Sequence, residues 1–166
     1  MSLKNKINED IISALKSGAS DLTLTLRFLM SVIKNSELQK RNKLSKAVKS
    51  EEDLTKMSEL TDEEIIGVVL SEIKKRKESI LQYEAGGRGE LAKKETAELE
   101  ILKQYVPEEM PEDELRSIIK KKLSEMGVVS SKDFGKIMGP VMAEVRGRAG
   151  GDAVKKIIEE ELKNEA

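Results

Sequence analysis

Residues 61–84 read TDEEIIGVVLSEIKKRKESILQYE. Thr61 and Glu64 stand three apart, the spacing of a capping box, and Asp62, Glu63 and Glu64 suit the positive end of a helix dipole. Ile65, Val69, Ile73 and Ile80 then fall on one face of a helix that runs to about Glu84. The basic run Lys74-Lys75-Arg76-Lys77 reads as a solvated face around that stripe. Gly86-Gly87-Arg88-Gly89 breaks the helix, because glycine reaches left-handed backbone that other residues avoid. As a phosphate loop this run is poor: it follows a helix, not a strand, and lacks the Gly-Lys-Ser/Thr ending. It reads instead as the turn of a helical hairpin, whose second arm, Glu90 to Tyr105, carries Leu91, Leu99, Leu102 and Tyr105.

The same period extends toward the N-terminus. Leu3, Ile7, Ile11 and Leu15 mark a helix to about Lys16, closed by Gly18. Ser20 or Asp21 is placed to cap the next, whose stripe is Leu22, Leu26, Leu29 and Ile33 and whose end lies near Lys40. From Arg41 to Leu60 the apolar period fades among lysines and glutamates, predicting a mobile, solvated connection.

Beyond the hairpin, Val106-Pro107-Glu108-Glu109-Met110-Pro111 places two prolines where no helix continues. This is the expected boundary between an N-terminal helical, hairpin-like domain, residues 1–106, and a C-terminal domain, residues 107–166. Leu115, Ile118, Ile119, Leu123 and Met126 form one face of a helix closed by Gly127, with Met110 and Leu115 as a hydrophobic staple. Ser130 or Ser131 caps a second, with Phe134, Met138, Val141 and Val145 inward and a kink or restart at Pro140. The third begins at Gly151 or Asp152 with Val154, Ile157, Ile158 and Leu162 inward and Glu159 to Glu161 largely outward. The expected class is all-α, the C-terminal domain being a three-helix unit.

Composition narrows the chemistry. The 166 residues hold no Cys and no His, which removes thiol nucleophiles, imidazole bases and the usual zinc ligands together. The 30 Lys and Arg against 31 Asp and Glu exclude a globally basic nucleic-acid binder, though not a local basic face. Four aromatics, Phe28, Tyr83, Tyr105 and Phe134, are too few for a base-stacking platform. Apolar runs such as Ile65 to Leu70 fall far short of the ~20 residues of a membrane helix. Met1 to Asp10 lacks the apolar core of a secretory signal, so a cytoplasmic location is expected. Acidic pairs lie on solvated helix surfaces or in first turns, and none reads as an acid/base dyad. Met138, Met142 and the other methionines read as core filler. No catalytic residue, metal ligand, cofactor or membrane partner is expected.

One constellation is left: Gly135-Lys136-Ile137-Met138-Gly139, then Arg146-Gly147-Arg148-Ala149-Gly150-Gly151-Asp152 leading into a helix. Backbone amides at a helix N-terminus, flanked by two arginines, can receive phosphate. A tight interhelical turn with solvent-facing arginines uses the same residues. The candidate anion-binding set is Lys132, Lys136, Arg146, Gly147, Arg148, Gly150 and Gly151.

Several stretches, in order along nearly the whole chain, resemble the GatB/YqeY family, and its free-standing members in particular. They are Leu26-Arg27-Phe28-Leu29, Leu60 to Glu64, Arg76-Lys77-Glu78-Ser79, Tyr83 through Arg88 to Leu91, Glu98 to Leu102, Tyr105-Val106-Pro107, and Gly135 to Met138 leading to Gly147-Arg148-Ala149. The resemblance implies a C-terminal domain similar to the tail of the B subunit of glutamine-dependent aminoacyl-tRNA amidotransferase, which helps hold tRNA while other domains do the chemistry. Gly150 stands where the family often has an acid, and Lys43 to Ser58 reads as an insertion in a shorter connection.

Three readings follow: a non-catalytic tRNA-handling accessory protein, with tRNA and a protein of the translation machinery as partners; a helical protein-interaction adaptor; and a carbon-nitrogen ligase with glutamine as amide donor, acting within a complex. The third lacks a nucleophile with its activating base, an amidase signature and an ATP site. The purified chain alone should therefore turn over neither glutamine nor ATP. Glutamine hydrolysis abolished by a point mutation in this chain would restore the enzyme reading.

Overall fold

Thr61 Oγ1 accepts the Glu64 amide at 3.2 Å, and Glu64 Oε2 accepts the Thr61 amide at 2.8 Å, so the capping box closes in both directions. Lys40 Nζ donates to the same carboxylate oxygen at 2.7 Å. That ammonium first, and the Thr61 amide second, hold Glu64 below the usual carboxylate range.

The computed structural model describes residues 2–48, 50–127, 134–145 and 147–164, and every regular element among them is an α-helix. The chain groups into two compact units, Met1–Val106 and Pro107–Ala166. In the first are α1 (Leu3–Ser17), α2 (Ser20–Leu44), α3 (Glu51–Ser58), α4 (Asp62–Ala85) and α5 (Gly89–Lys103). α4 and α5 form the hairpin, with their stripes against α1 and α2 around fully buried Ile7, Leu26, Leu29, Ile33, Ile65 and Val69. The Tyr105 hydroxyl donates to Asp10 Oδ2 at 2.7 Å. Burial first, and that carboxylate second, raise the Tyr105 phenol above its ordinary value.

The connection read as mobile, residues 41–60, contains a helix. Ser50 Oγ accepts the Asp53 amide to start α3, Leu54 is buried, and Arg41 at the end of α2 donates to Thr55 Oγ1 at 3.0 Å and pairs with Glu51. Lys40 Nζ donates to the Glu59 carbonyl at 2.9 Å. A two-turn helix with one buried leucine is too short to register as apolar period, and its charges tie it down instead of solvating it. α2 accordingly runs to Leu44, past Lys40, and starts after Ala19 with no side-chain cap. Two stripe positions also shift. Leu15 and Leu91 are exposed while their small neighbours Ala14 and Ala92 are buried, as befits places where helices approach closely.

The second unit holds α6 (Glu112–Met126), α7 (Phe134–Val145) and α8 (Gly151–Asn164) around Leu115, Ile119, Leu123, Ile137, Val141, Val145, Val154 and Ile158. Ile137 is fully buried, Phe134 and Met138 only partly so, and Met126 is exposed. α7 is continuous through Pro140, so the helix does not restart there. Glu161 is turned inward, 4% exposed, unlike Glu159, because Arg116 and Lys120 of α6 meet it.

Two measurements check this description. Residues 107–166 expressed alone should give a helical circular dichroism spectrum and a cooperative melt of marginal stability; a spectrum without either contradicts an independent unit. Because folding lowers the Glu64 pKa, its stabilisation is present above its ordinary value of 4.5 and is lost as pH falls through the lower folded value. Glu64→Gln should therefore flatten the acid limb of the stability curve, which denaturant melts at stepped pH will read.

Candidate functional site

α7 ends at buried Val145, and Gly147 follows with φ +77°, left-handed backbone in which a side chain would be strained. The Arg148 amide donates to the Val145 carbonyl at 2.8 Å, Ala149 is buried, and the Gly150 carbonyl takes the first bond of α8 from the Val154 amide at 3.1 Å. The Met110 amide donates to the Arg148 carbonyl at 2.6 Å, stapling the proline-bounded entry segment to the turn. A Cβ at Gly150 would meet nothing within 4 Å, so the start of α8 lies open there, whereas one at Gly151 would touch Met138.

The Arg148 guanidinium does not face solvent alone. Nη1 and Nη2 fork onto Glu114 Oε1 and Oε2 at 2.8 and 3.1 Å, and that pairing raises the arginine above its ordinary pKa. Lys136 lies exposed on α7; Lys132 and Arg146 lie outside the described residues. Of the candidate set, the fold thus brings Gly147, Arg148, Gly150 and Gly151 into one turn. Beside it is a cleft of about 280 Å³ lined by Glu109, Glu112, Met110, Gly150 and Lys156, whose two carboxylates repel an anion deep in the cleft. Arg116 is committed nearby, donating to Glu160, Glu161 and Glu112 at 2.8, 2.6 and 2.9 Å. The Glu160 bond first, then those to Glu161 and Glu112, raise its pKa, and Arg116 in return lowers that of Glu160.

A second concavity, about 680 Å³, lies in the first unit between α2, α4 and α5. Arg76, assigned from sequence to a solvated face, is instead 8% exposed at the floor. Its Nη2 donates to Glu98 Oε2 at 2.7 Å, Nη1 stands 3.9 Å from Glu95 Oε2, and its carbon Cζ lies 5.5 Å from the centre of the Phe28 ring. Glu72, one turn earlier, is also buried and takes Lys75 Nζ at 2.6 Å. The signal for both was present: Val69, Glu72, Ile73, Arg76 and Ile80 continue one helical stripe, so two charges sit where an apolar residue is called for. Phe28 lies off the α2 stripe and is 49% exposed, a costly position for one of four aromatics. Among the described residues, no three carboxylates gather as a metal ion would require, and no helix is long and apolar enough to cross a membrane.

The chain is thus all-helical, in two compact units, with an arginine-glycine turn in one and a cleft over a buried arginine in the other. The model of the Yqey-like protein family matches residues 4–162, and the chain belongs to that family. It is also similar to an uncharacterized protein of Schizosaccharomyces pombe, 31% identical over 106 residues that take in 64% of this chain and 73% of the relative.

Proposed function

We propose that the protein is a non-catalytic tRNA-handling accessory module, related to the tail of the glutamine-dependent amidotransferase B subunit, whose C-terminal unit meets RNA phosphate at the turn of residues 147–151. The observation that supports this reading most is the open start of α8 at Gly150, held by the bond between the Met110 amide and the Arg148 carbonyl. First-turn amides point out of a helix end, and around Gly150 no neighbouring atom stands within 4 Å of where a Cβ would be. Arg148 supplies charge once the phosphate competes with Glu114 for its fork, and Lys136, exposed on α7, adds to it; Lys132 and Arg146 belong to the proposed set by sequence. Phe134 is the unit's one aromatic, so recognition is of phosphate and shape, not of splayed bases.

The Glu114 fork makes the reading testable in both directions. Fluorescence anisotropy with folded tRNA should show affinity that falls steeply with salt. Replacing Arg146 and Arg148 together by Gln should weaken it about tenfold, with the circular dichroism spectrum unchanged. Glu114→Gln, which releases Arg148 and removes a negative charge, should tighten it. No measurable binding at low salt, or affinity indifferent to both changes, overturns the site and favours the adaptor reading.

A further inference from the structure

The cleft between α2, α4 and α5 is not used by the tRNA reading. Three of the stretches that carry the family resemblance, those containing Phe28, Arg76 and Glu98, meet in it. Its floor is an arginine side chain nine-tenths buried, whose Nε has no hydrogen-bond partner. Glu98 engages the adjacent Nη2 only, and Glu95 stands beyond hydrogen-bond reach of Nη1. Buried donors are ordinarily satisfied, and with Nε sealed from solvent it is the Nη end of this guanidinium, held by Glu98 on one nitrogen alone, that is left for a carboxylate arriving through the cleft.

The rim is of mixed sign. Lys94 and Asp21 line the cleft, and neither has an ion-pair partner among the described residues. The apolar wall is Leu24, 62% exposed, with Phe28 and Ile101. A simple anion would be repelled by Glu95 and Glu98, and a simple cation by Arg76 and Lys94. A molecule bearing both charges on one end and a hydrocarbon body on the other meets neither penalty. The volume falls within the range of small-molecule sites and exceeds one amino acid, leaving room for a large side chain or a second residue.

We propose that this cleft binds a small zwitterion with an apolar body, of the class of free apolar amino acids and short apolar peptides. The ligand carboxylate is taken by Arg76 and Lys94, the ammonium by Glu95 and Asp21, and the side chain lies on Leu24 and Phe28. This goes beyond the RNA reading and stands or falls without it, since it uses no residue of the C-terminal unit.

The test is amide NMR titration of the full chain with L-leucine, L-phenylalanine and L-leucyl-L-leucine as probes. At least one should produce saturable shifts centred on residues 21–28 and 94–101. Capping the effective probe as its N-acetyl derivative, or as its amide, should weaken binding about tenfold each, as loss of one charge-assisted bond implies. Lys94→Ala and Asp21→Asn, both on exposed side chains, should each weaken the uncapped probe while the spectrum stays folded; Arg76→Lys is a further check if it folds. No saturable shift with any probe overturns the proposal, as does equal binding of the capped and uncapped forms, which would make the cleft an apolar surface for a partner protein instead.

Discussion

Both units close on an aliphatic core almost without aromatic rings. Tyr105 is the one aromatic among the buried core residues; the remainder are Ile, Leu, Val, Met and Ala. Aliphatic side chains each bury less area than an aromatic ring, so the core is built from many small contacts and every helix must keep its stripe in register with its neighbours. The chain meets this with ends and ties that set register. The capping box at Thr61 and Glu64 starts α4, the Lys40 ammonium joins α2 to it, and Arg116 of α6 grips Glu160 and Glu161 of α8.

The same ties shape the two proposed binding places. In the C-terminal unit the Arg148 carbonyl is spent on the Met110 amide and its side chain on Glu114, which holds the turn still and leaves Gly150 uncovered. In the N-terminal unit an arginine is set into the α4 stripe. It pairs with Glu98 of α5, and the cleft between α2, α4 and α5 opens over it.

Much of the fold was legible because it rests on local rules. The capping box, the glycine hairpin turn and the four-residue stripes are encoded within a few residues, and the all-helical class follows from them. What was not legible depends on contacts between distant residues. α3 leaves no apolar period because Leu54 is its one large buried apolar side chain, and its contacts with Arg41 come from across the loop. The charges of Arg76 and Glu161 point to solvent when read alone, although each lies on an inward stripe and gains its partner from another helix. At the candidate site, sequence marked the arginine and glycines that share the turn but gave no hint that Glu114 already holds Arg148.

We propose that the open turn before α8 is where this protein meets RNA phosphate. Mapping amide chemical shifts of the full chain on adding folded tRNA tests it most directly. Binding there concentrates changes at residues 147–151 and around Lys136 and leaves the cleft between α2, α4 and α5 unmoved. Changes confined to that cleft, or none at tRNA concentrations well above the protein, would contradict it.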